Sequence, residues 1–184
     1  MMWSLPEFVE IKGEQHAIRN KCDYRVVLDT ISALNDIDLE MHFRVECALF
    51  IFYEDVSKIK DFQTATNEMI KIINLGEETT KEENKPKLMD WEHDFPQLAP
   101  PISRVLGYSV RSTNHYTHWY DFVGAYMEIG GDCTFANIVS IRDKKLRGKK
   151  LEKWEREFYE ENKKMIDLPR KFTKEEQEWL DSDW

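Results

Sequence analysis

His115 and His118 stand three residues apart in HYTH, a spacing that would put both rings on one helix face within reach of one metal ion. A complete site needs further ligands. Asp121 and Cys133 are available, but no spacing nominates them, and the favoured role for His118 is a half-buried ring at a helix start that hydrogen-bonds a backbone group. A second cluster, Asp90-Trp91-Glu92-His93-Asp94, gathers three carboxylates and a histidine. Paired carboxylates do acid–base work when burial separates their pKa values. These precede a helix start, where acidic side chains complement the helix dipole, and capping is the favoured role. Cys133 is a candidate nucleophile with His115 or His118 as base. Its surroundings offer no glycine-rich elbow, so a small buried residue ahead of a helix is the better reading. Residues 144–150 (KKLRGKK) could touch phosphates or an acidic patch on a partner protein, but a solvated loop is favoured in so acidic a chain. No GxGxxG, Walker-type loop or HExxH occurs. The expectation is a protein that is not an enzyme, needs no cofactor or metal, and works by binding.

The residues best suited to binding are aromatic. Trp119, Tyr120, Phe122, Val123 and Tyr126 fall in one stretch and cover more than one face of a helix. One side must enter the core. The remainder would suit an interface, where Trp and Tyr are favoured because each is part apolar and part hydrogen-bonding. Trp119, Tyr120, Phe122 and Tyr126, with Arg142 on the following helix, are the candidate partner-binding residues; a wholly buried aromatic helix is the competing reading.

The elements that carry these residues are mostly helical. Residues 8–18 (FVEIKGEQHAI) alternate about Lys12-Gly13, with Val9 and Ile11 before the turn and His16 and Ile18 after it, which predicts a short β-hairpin. Asp23 caps a helix to about Leu34 with Tyr24, Val27, Leu28, Ile31 and Leu34 on one face. A second helix from near Asp38 shows Met41, Val45, Ala48, Leu49 and Phe52 at helical spacing. A third, from Asp61, carries Phe62, Ala65, Met69, Ile72 and Ile73 and stops at Gly76, placed as a C′ glycine. Residues 77–87 (EETTKEENKPK) hold no apolar side chain and read as an exposed linker. Beyond it, Asp94 is placed to cap a helix burying Leu98, Ile102, Val105 and Leu106. Pro96, Pro100 and Pro101 predict an irregular start and only a short helix from about Pro101 to Gly107. Helices from Thr117 to about Ile129 and from Thr134 follow, the latter with Phe135, Ile138, Val139 and Arg142 along one side. A helix with Leu151, Trp154, Phe158 and Met165 closes at Leu168-Pro169. Thr173 and Glu176 form a capping box for a last helix with Trp179 and Leu180. The predicted fold is mainly α: a bundle of about six to eight helices with an N-terminal β-hairpin. It divides into a hairpin plus three-helix half (1–76), a linker (77–88) and a helical half (89–184).

Composition narrows the function. A formal net charge of −9 argues against nucleic acid and anionic membranes and favours a basic or apolar protein partner. Three widely spaced cysteines without a CxxC suit reduced thiols in a cytoplasm. No apolar run approaches the roughly 18 residues of a membrane span, and the N-terminus lacks a signal-peptide layout.

Several segments, in order, resemble one family. LPEFVEIKGEQHAI resembles a proline-led hairpin, MDWEHD an entry to a second half, and HWYDFVGAYMEI followed by CTFANIVSIR a His-Trp-aromatic helix and a Phe-x-x-Ile-x-x-Ile-Arg helix. WEREFYEENKKMIDLP is similar as well. The family is the "gene product fifteen" family of long-tailed phages and prophages. The three prolines after MDWEHD and the extension 171–184 depart from its pattern. The resemblance implies a gene placed between the major tail protein and the tape measure, the position of a tail assembly chaperone. Such a chaperone would bind the tape measure protein and help recruit tail tube protein, and is often made with an upstream tail chaperone by ribosomal frameshift. It would act in the host cytoplasm and be absent from the mature virion. The rival readings are a minor tail or connector subunit retained in the particle and, more remotely, a small metal-dependent enzyme.

Overall fold

The computed structural model describes residues 4–77 and 86–169. The linker reading for 77–88 falls largely, and the final-helix reading at Thr173–Leu180 wholly, outside these residues. The described elements run β1 (Phe8–Ile11), β2 (Glu14–Ala17), α1 (Tyr24–Leu34), α2 (Met41–Phe52), α3 (Phe62–Ile73), α4 (Trp91–Leu106), α5 (Trp119–Met127), α6 (Thr134–Leu146), α7 (Lys153–Glu161) and α8 (Lys163–Ile166). The protein is mainly α with one short N-terminal hairpin, as the periodicity predicts. It forms two compact units. The first holds residues 4–77 with Tyr116–Phe122; the second holds 86–115 and 123–169.

In the first unit the hairpin closes through Lys12 and Gly13, both at positive φ (51° and 83°), the pair of left-handed residues that a two-residue turn matching the strand twist requires. Alternation then buries Val9, Ile11, His16 and Ile18. Two strands alone are marginal; these gain support from α3, which packs on β1, and from the bridge between Ile18 and Tyr53. Asp23 caps α1, accepting from the Arg25 N–H, and Asp61 caps α3, accepting from the Thr64 N–H and hydroxyl. Each satisfies donors that the first helical turn leaves open. Between β2 and α1 the chain makes a left-handed turn, Asn20, Lys21 and Cys22 all having φ between 48° and 63°. That conformation is unfavourable for residues with a Cβ. It is held by the Tyr116 hydroxyl, which donates to the Lys21 carbonyl at 2.6 Å, and by the burial of Cys22. Arg19 caps the far end of α2, donating to the carbonyls of Phe50, Ile51 and Tyr53.

In the second unit α4 departs from expectation. It is one continuous helix of 16 residues with all three prolines inside it, capped by Asp90 rather than Asp94. The physical reason lies in where the prolines fall. Pro96 and Pro100, four residues apart, share the exposed edge, so the carbonyls of Glu92 and Pro96 that lose their donors are on the solvent side; Pro101 is buried, and exposure does not explain it. Leu98, Ala99 and Ile102 then bury the opposite side, and Gly107 (φ 77°) terminates the helix. Helix α6 begins at Thr134 and buries Phe135, Ile138, Ile141 and Arg142. The segment expected as one closing helix is two, broken at Asn162, and Ile166 rather than Trp154 enters the core beside Ile138 and Ile141. Trp154 is exposed, as are Met41, Phe62 and Val105 from predicted core faces.

Candidate functional site

The first turn of α5 belongs to the first unit, and there most of its aromatics are structural. Trp119 is 3 % exposed and its indole N–H donates to the Ile73 carbonyl at 3.0 Å. Phe122 is fully buried and stacks on Tyr24 with ring centroids 4.2 Å apart. His118 is buried as well, and both ring nitrogens are occupied: Nδ1 accepts from the Tyr120 N–H, so Nε2 carries the proton and donates to the Pro6 carbonyl. His118 is thus deeper than the half-buried position expected, but it serves backbone groups as expected. Thr117 donates its N–H to Asp23 and accepts from the Tyr24 N–H, so the strand-like residues before α5 tie onto the start of α1. Cys22 lies against this knot, and burial pushes its thiol up to about 12, only partly offset by the Trp119 N–H. Tyr120 keeps part of its surface, and burial raises its hydroxyl above the ordinary range.

The second unit places the other candidates. Arg142 is 5 % exposed and pairs with the fully buried Asp94 through two nitrogens at 2.7 and 2.8 Å. Its guanidinium also donates to the carbonyls of Leu88, Met165 and Ile166. Asp94 in turn accepts from the Asp90 N–H at 2.9 Å, which makes it the reciprocal partner of the cap rather than the cap itself. His93 bonds the Met165 carbonyl at 3.1 Å. The acidic entry is therefore a helix start joined to a buried ion pair. Tyr126 is half-buried with its ring edge-on to Trp91 and Phe135. His115 is exposed and stacks on Tyr108, and Cys133 sits half-buried at the N-cap of α6. Among the described residues no three His, Cys, Asp or Glu side chains group as metal ligands.

Three of the five basic side chains in the 144–150 cluster are paired. Lys144 bonds Glu155, Lys145 bonds Asp167 and lies 3.7 Å from the Tyr159 ring centre, and Arg147 bonds Asp143. Burial alone would raise Glu155; the Lys144 ammonium and the Glu152 N–H bring it below the usual range. An open groove of about 410 Å3 beside these groups is lined by Lys87, Arg142 and Lys145, each already holding a carboxylate.

Of the five partner-binding candidates, Trp119, Phe122 and Arg142 are interior, and Tyr120 and Tyr126 offer partial surface. Among the described elements, α2 carries the most exposed large apolar side chains. On α2, Phe43 (49 %) and Phe50 (55 %) are open to solvent with the exposed Cys47 between them, and Met41 stands at the helix start. Sequence periodicity assigns Met41, Val45, Ala48, Leu49 and Phe52 of this helix to the core; Ala48, Leu49 and Phe52 are buried, whereas Val45 is only partly covered and Met41 is open. The available signal was a remainder: three further apolar residues at spacings of four and three on a helix that is apolar all round.

The sequence profile of the family described as "Bacteriophage Gp15 protein" matches residues 1–116, which include the hairpin and α1 to α4. The match ends before HWYDFVGAYMEI, so the likeness seen in that segment and beyond lies outside it. Neither the curated proteins nor the solved structures contain a match.

Proposed function

Since the chain belongs to the bacteriophage Gp15 family, we propose that it is a tail assembly chaperone that binds the tape measure protein, and tail tube subunits, during tail morphogenesis. Family membership is the observation that carries the reading. A tape measure is a long helical protein with apolar stripes. It needs a soluble partner that covers them, and helix-to-helix burial is the economical way to do so. An acidic, mainly helical protein with open phenylalanines on one helix has the means. No bond-making chemistry enters the reading, and the protein acts without cofactor or metal. It works in the host cytoplasm and leaves before the particle is complete.

Co-expression with the tape measure gene product tests this. The expected result is tape measure in the soluble fraction, co-purifying with this chain; insolubility unchanged by co-expression refutes the chaperone role. Mass spectrometry of purified particles provides the second arm. The chain should be absent or trace, and stoichiometric amounts would make it a retained structural subunit instead.

A further inference from the structure

We infer that the outer face of α2, along Phe43, Cys47 and Phe50, docks an amphipathic helix with apolar residues at alternating three- and four-residue spacing and lysine or arginine beside them. The inference rests on the chaperone reading only for the identity of that helix, a segment of the tape measure protein.

Phe43, Cys47 and Phe50 are four and three residues apart, the spacing of one side of a helix–helix seam. Leu49 and Phe52 on the opposite face already join α2 to its own core, so the seam is surplus to folding. Two large phenylalanines each about half exposed on one stripe form a patch rather than scattered surface residues.

Charge selects the occupant. Glu46 is exposed beside the stripe, Glu40 precedes the helix, and Glu54 lies just past its end. Two arginines are close by, and both are committed: Arg44 Nε donates to the Leu39 carbonyl, and Arg19 caps the C-terminal carbonyls of α2, where its charge answers the helix dipole. His42 lies 3.3 Å from Glu40. The arginines' bonds to carbonyls do not neutralise either guanidinium, so Glu40, Glu46 and Glu54 against Arg19 and Arg44 leave the surround of the stripe acidic by one charge. A second copy of this chain would set glutamates against glutamates. The chain's own residues 171–184, KFTKEEQEWLDSDW, are acidic too. A basic helix meets complementary charge at the rim and apolar surface at the centre, and the net charge of −9 steers it inward.

Cys47 reports on the face directly. In a Cys133→Ser background, with Cys22 buried, the Cys47 thiol is the one open to Ellman's reagent. The probe is a synthetic amphipathic helix with leucines at the seam spacing and lysines beside them, compared with the same peptide carrying glutamates. The lysine peptide should slow Cys47 modification about tenfold at about ten times its Kd. Salt should weaken the effect, the glutamate peptide should have none, and Phe50→Ser should abolish it. Equal shielding by both peptides, or by neither, overturns the inference. So does a Cys47 that slows with rising protein concentration, which means a second copy is the occupant, or one silent at every dilution, which means the chain covers its own stripe. The Phe43→Ser/Phe50→Ser variant separates the two readings. If it keeps the tape measure soluble as well as the native protein does, this surface is wrong and the chaperone role stands. If the lysine peptide shields Cys47 but the tape measure stays insoluble, the surface stands and the chaperone role fails.

Discussion

Trp119 and Arg142 are both long, polar-tipped side chains sunk in the interior, one in each unit, and each ends on backbone carbonyls. Trp119 serves a single carbonyl, that of Ile73. It stays neutral, so burial gains apolar area and costs only the indole N–H, which finds a partner. Arg142 serves three carbonyls and cannot shed its charge. It is tolerated because Asp94 meets it at two atoms with no solvent between. At Trp119 the first unit rests on packing and neutral hydrogen bonds, which degrade gradually when trimmed. The second is closed by a network, which fails when any one member is removed.

The sharpest test of this difference is Asp94→Ala. It leaves the Arg142 cation buried without a counter-ion and the Asp90 N–H without its acceptor, and should cost about 3–5 kcal/mol in urea unfolding. Asp94→Leu combined with Arg142→Met should recover only part of the loss, because the Leu88, Met165 and Ile166 carbonyls then lack a donor. Full recovery would show that the network contributes no more than packing does. Trp119→Phe keeps a ring but orphans the Ile73 carbonyl, and is expected to cost about 1–3 kcal/mol by the same measurement. A loss as large as that of Asp94→Ala would erase the distinction between the units.

Acid should also separate them. Glu155, in the second unit, is held below its ordinary value of 4.5, and Asp61, in the first, is held down to about 2 by Lys12 and by the Thr64 N–H and hydroxyl. A carboxylate depressed in the folded state stabilises above its unfolded pKa, and that contribution fades as pH falls through the folded value. Glu155 should begin to lose its contribution just below about pH 4.5 and Asp61 only below about 3.8. Hydrogen exchange at the Glu155 and Thr64 amides, followed from pH 6 downward, should show α7 loosening before the start of α3. Loosening in the reverse order would refute the assignment. The smallest effect is expected at Phe43→Ser, within about 0.5 kcal/mol of the native stability, because half of the side chain is already open to solvent and its ring contact is with the exposed His42. A large loss there would move Phe43 from the surface to the fold.

Much of this was legible in the chain. Asp23 and Asp61 announce their helices because short acidic side chains ahead of an apolar period have one local geometry in which to satisfy the first turn. The Lys12-Gly13 turn and the alternation around it announce the hairpin, and Gly107 and Thr134 mark a helix end and a helix start. The family was legible too, from several segments in order. Local sequence also misled. Three prolines argued for a broken helix at 91–106, and Asp94 looked like a cap. Neither error was visible locally, because a proline's cost depends on whether the carbonyl it orphans meets water, and Asp94's role depends on an arginine 48 residues away.

Most of the helices, the caps at Asp23 and Asp61 and the hairpin rest on spacing within a few residues, so the chain carries them locally. Which apolar faces are covered is a property of the assembled fold. Trp119 and Phe122 belong to an interior that Ile73 and Tyr24 complete, while Phe43 and Phe50, no less apolar, remain open. Periodicity says that a face is apolar. Whether it is core or surface depends on whether another part of the same chain arrives to cover it, and that is a long-range fact.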